Sequence, residues 1–96
     1  MTLTLYSKEN CIYCNKAKAL LKNLGLSYEE KKLESYKDKE EFLKDIGKQV
    51  RSMPQIKIEN ELIGGYNQLV EYFIAKGKVN FKGEVIDQKT KEENER

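Results

Sequence analysis

The chain has no histidine and only two cysteines, and these shortages set the first limits on its chemistry. A zinc site takes about four ligands of Cys, His or carboxylate type, usually completed by a His pair or a second C-x-x-C. Here Cys11-Ile12-Tyr13-Cys14 offers one such pair and nothing completes it, so a zinc ion would have to be shared between chains. Charge of one sign is also lacking. Lys plus Arg number 18 against 16 Asp plus Glu, a net charge of +2, and the two signs are interspersed. That balance describes a solvated surface and gives no argument for nucleic acid. No apolar run approaches the roughly 20 residues of a membrane span. The opening Met1-Thr2-Leu3-Thr4-Leu5-Tyr6 has no basic region, long apolar stretch or small-residue cleavage site, so a cytoplasmic protein without a membrane partner is expected. Repeats and linker-like segments are missing from the 96 residues, which points to one domain. The single proline, Pro54, stands before a strand it could not occupy centrally and must serve a turn.

What is present is the dithiol. A disulfide between residues three apart closes a very short loop and removes little entropy from the unfolded chain, so stapling is a weak reason to keep it. In a reducing compartment a lone pair is better suited to exchange. The surrounding pattern agrees. Residues 2–6 alternate as a strand, 14–24 read as a helix stopped by Gly25, and 28–33 as a second strand. A right-handed crossover lays these strands parallel and puts the dithiol at the carboxyl end of the sheet, where the helix opens. The first amides of a helix lack intrahelical acceptors and carry partial positive charge, which favours thiolate over thiol.

Further along, Phe42, Leu43 and Ile46 mark a helix within 38–47. Gln55 to Glu59, Asn60 in a turn with positive φ, and Leu62-Ile63 make a hairpin. After Gly64-Gly65, Asn67 is expected to cap a helix carrying Leu69, Val70, Phe73 and Ile74 on one face and ending at Gly77. The order is β-α-β-α-β-β-α. Val79, Phe81, Val85 and Ile86 offer a stretch that can pack. Residues 87–96 are all polar or charged and are expected to be disordered.

With Cys-Ile-Tyr-Cys after the first strand, Ser52-Met53-Pro54-Gln55-Ile56 before the third and Ile63-Gly64-Gly65-Tyr66 before the last helix, the chain resembles the glutaredoxins, especially the short bacterial and bacteriophage members. The resemblance covers a domain over residues 1–77 and leaves 78–96 as a C-terminal extension. It implies an α/β, thioredoxin-like fold with a four-stranded mixed sheet flanked by three helices. It also implies a monomer that reduces glutathione mixed disulfides and protein disulfides, with a ribonucleotide reductase as one candidate substrate and glutathione as electron source. Cys11, nearer the helix start, is the implied nucleophile and Cys14 the resolving thiol.

The same resemblance assigns a glutathione site. Lys8 and Arg51 bring cations to the glycyl carboxylate, and Tyr13 covers the dithiol with its ring. The peptide bond before Pro54 is expected to be cis, with the backbone of Met53 pairing with the ligand's cysteine as an added strand would. Gly65, Tyr66, Asn67 and Gln68 receive the γ-glutamyl end at the last helix. Two departures stand out. Many relatives have Ser or Thr followed by Asp where this chain has Asn67 and Gln68, so a carboxylate for the ligand's ammonium is missing. Ile12 replaces a proline common in dithiol members, and some proline-lacking relatives hold a [2Fe-2S] cluster between two chains. A homodimeric cluster carrier ligated by Cys11 and glutathione is therefore the alternative reading. A thioredoxin-like donor served by a flavin reductase is disfavoured by Tyr13, where thioredoxins carry proline.

Overall fold

The computed structural model describes residues 2–80 and 84–85. Its elements are β1 (Leu3–Ser7), α1 (Ile12–Asn23), β2 (Glu29–Lys32), a 3-10 turn (Leu33–Ser35), α2 (Lys39–Ile46), β3 (Gln55–Ile58), β4 (Glu61–Gly64) and α3 (Tyr66–Ala75). The strands form one sheet in the order β2-β1-β3-β4. β1 pairs parallel with β2 and antiparallel with β3, which pairs antiparallel with β4. This is the expected thioredoxin-like arrangement.

All of β1 is buried because the central strand is covered on both faces. Its alternation sorts side chains between two cores. Leu3 and Leu5 join Ile56, Ile58, Ala17, Leu20, Leu21, Leu69 and Phe73, the cluster made with α1 and α3. Tyr6 points the other way, to Phe42 and Ile46 of α2. Edge-on ring contacts tie this second cluster together, with Tyr6 and Tyr36 centroids 5.7 and 5.0 Å from that of Phe42.

Several boundaries differ from expectation for local reasons. α1 begins at Ile12 rather than residue 14, because Cys11 has an extended backbone and caps the helix with its own sulfur. β2 is shorter than 28–33, since Leu33 turns into the 3-10 segment. Asn67 does not cap α3. Gly65 is the capping residue, and Asn67 lies inside the first turn. The hairpin turn uses positive φ at both Glu59 and Asn60, 55° and 70°, which matches the right-handed twist of the strands. Val79, in the expected extension, is buried in the core with α1 and α3 and bridges Val85, which packs on the same cluster. The expected packing of Phe81 and Ile86 and disorder of 87–96 lie outside the described residues. No helix among those described is long and apolar enough to cross a membrane.

Polar contacts fix the two helical layers to the sheet. Buried Ser7 donates to Glu30 at 2.7 Å, and Lys18 of α1 donates to the same carboxylate oxygen at 3.0 Å. Burial alone would raise the Glu30 carboxyl, but these two donors outweigh it and hold the group below its ordinary range. Asp45 does the same for α2. Its carboxylate accepts from the Tyr36 hydroxyl and from Lys31 at 3.2 Å, while its backbone carbonyl accepts from Lys57 at 2.9 Å and Tyr6 at 3.3 Å. The Tyr36 hydrogen bond, followed by Lys31, lowers the Asp45 carboxyl against the opposing effect of burial. A carboxyl depressed in the folded state stabilises above its unfolded pKa of about 3.9 and loses that contribution as pH falls through the lower folded value. Asp45→Asn, which removes the charge and keeps an acceptor, should cost about 1 kcal/mol at neutral pH in this partly exposed setting. The difference from wild type should close in urea titrations below about pH 4; a gap independent of pH would contradict this account.

Candidate active site

The site is assembled where β1 hands over to α1. Ser7 closes the strand, and the following loop is held by the Glu9 amide donating to Glu34 at 3.1 Å. Asn10, with φ 55°, turns the chain so that Cys11 stands at the helix start. There its Sγ accepts from the Cys14 amide at 3.1 Å, the position a Ser or Asp oxygen occupies in an ordinary helix cap. Cys11 and Cys14 form a disulfide with Cα atoms 5.2 Å apart. Cys11 is half-buried, whereas Cys14, one turn on, is only 1% exposed and belongs to the interior.

The second wall comes from the loop before β3. The Met53-Pro54 bond is cis, as the resemblance implied, and the Met53 carbonyl oxygen lies 3.6 Å from Cys11 Sγ. Gln55 secures this loop from within the sheet, its side-chain amide donating to the Ser52 carbonyl at 2.9 Å. The third wall is the start of α3. A Cβ on Gly65 would meet the Pro54 carbonyl at 3.2 Å, so glycine lets the helix approach the proline loop this closely. Gln68 folds back to accept from the Gly65 amide at 2.9 Å.

Between these walls runs a groove of about 310 Å³ lined by Tyr13, Ser52, Met53, Pro54, Gly65, Tyr66, Asn67 and Gln68. Seven of the nine expected ligand-binding residues are thus side by side. Tyr13, 54% exposed, stacks obliquely on Tyr66 with ring centroids 5.8 Å apart and carries Lys16 Nζ 5.0 Å over its face. Its ring therefore flanks the groove across from the proline loop. Arg51 is placed differently, in an adjoining cleft of about 460 Å³ that shares Ser52, Gly65 and Gln68 with the groove and also contains Lys48. Lys8 is exposed on the loop ahead of Cys11 and lines neither space. Sequence reasoning left out Ser52 and Lys48. Ser52 directly precedes Met53-Pro54, and Lys48 lies three residues before Arg51, so both were within reach of the motif.

A dithiol at a helix N-terminus, set against a cis-proline loop in a thioredoxin-like sheet, defines a thiol-disulfide oxidoreductase. The glutaredoxin family model matches residues 3–63. Glutaredoxin 3 of Escherichia coli strain K12 is 41% identical over 66 residues, covering 68% of this chain and 77% of that protein. Glutaredoxin 1 of Rickettsia conorii is 38% identical over 72 residues, covering 73% and 70%. Among solved structures, a buckwheat glutaredoxin–glutathione complex superposes with a TM-score of 0.64 at 28% identity over 77% of this chain and 69% of that one. Glutaredoxin 1 from Francisella tularensis, complexed with cacodylate, gives 0.65 at 23% identity over 78% and 93%, a likeness of fold. The chain belongs to the glutaredoxin family.

Gly64 is a further constraint on the groove. Its φ of 122° is accessible to glycine, and a Cβ there would come within 2.8 Å of Gln68 Cγ. Gly64→Ala should therefore lower stability by about 1–3 kcal/mol, read from the urea midpoint. A midpoint unchanged from wild type would show that β4 and α3 join without this constraint.

Proposed function

We propose that this glutaredoxin reduces protein disulfides and glutathione mixed disulfides with glutathione as electron donor, Cys11 acting as nucleophile and Cys14 as resolving thiol. The observation that carries this reading is the setting of Cys11 Sγ. It is the more exposed sulfur, it accepts from a helix N-terminal amide at 3.1 Å, and it opens toward the Met53 carbonyl at 3.6 Å beside the groove. Charge on this sulfur is stabilised by the cap amide and the helix dipole. Cys14 has no such access, being buried one turn inside.

In the proposed sequence, the Cys11 thiolate attacks one sulfur of the substrate disulfide, the S–S bond breaks, and the departing thiolate takes up a proton. Either Cys14 then attacks Cys11 Sγ, releasing the second substrate thiol and closing the Cys11–Cys14 disulfide, or, where the sulfur on Cys11 is glutathionyl, a second glutathione attacks that sulfur, breaks its bond to Cys11 and leaves as glutathione disulfide with Cys11 returned as thiolate. Two glutathiones restore the dithiol from the intramolecular disulfide and leave as glutathione disulfide, so two electrons pass in each cycle. The groove supports glutathione as the donor. A cysteinyl backbone laid along Met53 could pair with it as a strip of strand. The γ-glutamyl carboxylate could reach the first amides of α3, which helix geometry leaves without intrahelical acceptors. Arg51 and Lys8 supply positive charge for the glycyl carboxylate. The pairing of Cys11 with Cys14 favours exchange over the cluster-carrier alternative, which would use Cys11 as a ligand from each of two chains. A ribonucleotide reductase is one candidate among the protein substrates.

Cys11→Ser should abolish every exchange reaction. Cys14→Ser should retain glutathione-dependent removal of glutathione from a small mixed disulfide while losing most direct reduction of protein disulfides, and the opposite division of losses would reverse the assignment. Alanine at Arg51 or Lys8 removes an exposed charged contact worth about 0.5–1 kcal/mol. The Michaelis constant for glutathione should rise several-fold in each, with rates for 2-mercaptoethanol nearly unchanged. Equal losses with both thiols would mean that neither cation reads a carboxylate.

A further inference from the structure

The groove and its adjoining cleft are lined by described residues of only one charge. Lys48 and Arg51 are the ionic side chains of the cleft, the groove beside the dithiol has none, and no carboxylate lines either space. Both cations are exposed and form no ion pair among the described residues. One wall of the groove is the start of α3, where helix geometry leaves the amides of Tyr66, Asn67 and Gln68 without intrahelical acceptors and adds partial positive charge. Gln68, the side chain best placed to offer an oxygen there, is neutral, and that oxygen already accepts from the Gly65 amide. Asn67 is also neutral and exposed. The site thus offers attraction to carboxylates from the cleft's cations and from the helix start, and no lining anion to a ligand's ammonium.

Resting on the glutathione reading above, we infer that this chain selects its reducing thiol by carboxylate alone and does not read the free amino group, so that acidic cysteinyl thiols with a blocked amino end enter the groove as well as glutathione does. An ammonium brought to the amino end of α3 would meet a helix dipole of the same sign and no carboxylate among the residues lining the groove or the cleft. Blocking it removes a repulsion and forfeits no ion pair. The substrate class is an acidic cysteinyl peptide whose amino end is acylated, whether by a small group or by the continuation of a polypeptide.

The reaction that reads this out is reduction of the protein's own disulfide. The thiolate of the added peptide attacks Cys11 Sγ, the Cys11–Cys14 bond breaks, and Cys14 leaves as a thiolate that takes up a proton. A second peptide thiolate then attacks the peptide sulfur of the mixed disulfide, forming the peptide disulfide and returning Cys11 as thiolate. Two thiols are oxidised and one protein disulfide is reduced.

The test compares glutathione, N-acetylglutathione and 2-mercaptoethanol as reductants of the full-length oxidised protein, following Cys11 and Cys14 by alkylation and mass. Each rate is divided by that thiol's rate on a small linear disulfide in solution, which cancels differences in intrinsic reactivity. Normalised rates for glutathione and N-acetylglutathione that agree within about threefold, both well above that of 2-mercaptoethanol, support the inference; a larger preference for glutathione overturns it. If neither peptide thiol exceeds 2-mercaptoethanol, the glutathione reading itself fails, and this inference with it. Gln68→Glu keeps the length needed to accept from Gly65 and adds the missing charge, and Gln68→Asp adds it with a shorter reach. In either variant glutathione should gain up to about tenfold over N-acetylglutathione, shrinking at high salt. Folded variants that still treat the two thiols alike would overturn the placement of the amino end beside Gln68.

Discussion

The site depends on one substitution of chemistry at a helix end: a sulfur stands where a capping oxygen would. The start of α1 leaves amides that must find an acceptor, and Cys11 Sγ is the acceptor provided for Cys14. The sulfur proposed as the nucleophile is thereby oriented by the same force that starts the helix. Everything else brings surfaces to that atom. The parallel crossover from β1 to β2 puts the end of the strand there, the cis-proline loop before β3 supplies a carbonyl oxygen, and α3 supplies a second helix start across the groove.

Rigidity in the sheet is what makes those distances reproducible. β1 is buried over its whole length and divides its side chains between two cores, so neither helical layer can shift without disturbing the strand that carries the dithiol loop. Glu30 and Asp45 perform matching tasks on the two faces, each carboxylate gathering a hydroxyl and a lysine from different elements. These clusters lie beneath the site rather than in it, and they position the layers without supplying reactive groups.

Much of this was legible in the residues. Spacing of apolar side chains and the glycines at 25, 47 and 77 located the helices and their ends, all three glycines having positive φ. The element order followed, and the motifs around Cys11, Pro54 and Gly65 located the walls of the groove. What escaped was local competition at the caps. Cysteine is not among the residues whose propensity marks a helix cap, so the apolar pattern alone starts α1 at residue 14 and misses the first turn that Cys11 caps. At α3 the amide of Asn67 was a better capping group on propensity than glycine, yet the close approach to Pro54 selects Gly65 for that place. Nor does spacing reveal that Arg51 faces a neighbouring cleft while Lys8 stands apart from it, because that depends on how two loops turn.

Tyr66 has two sides. One faces the groove beside Tyr13, and the other closes a separate hollow of about 470 Å³ formed with Lys16, Ala19, Leu20, Asn23, Glu84 and Val85. A single residue therefore borders both the groove and the hollow beside Glu84 and Val85. Through Tyr66, Glu84 and Val85, well outside the matched family region, are one side chain away from the groove.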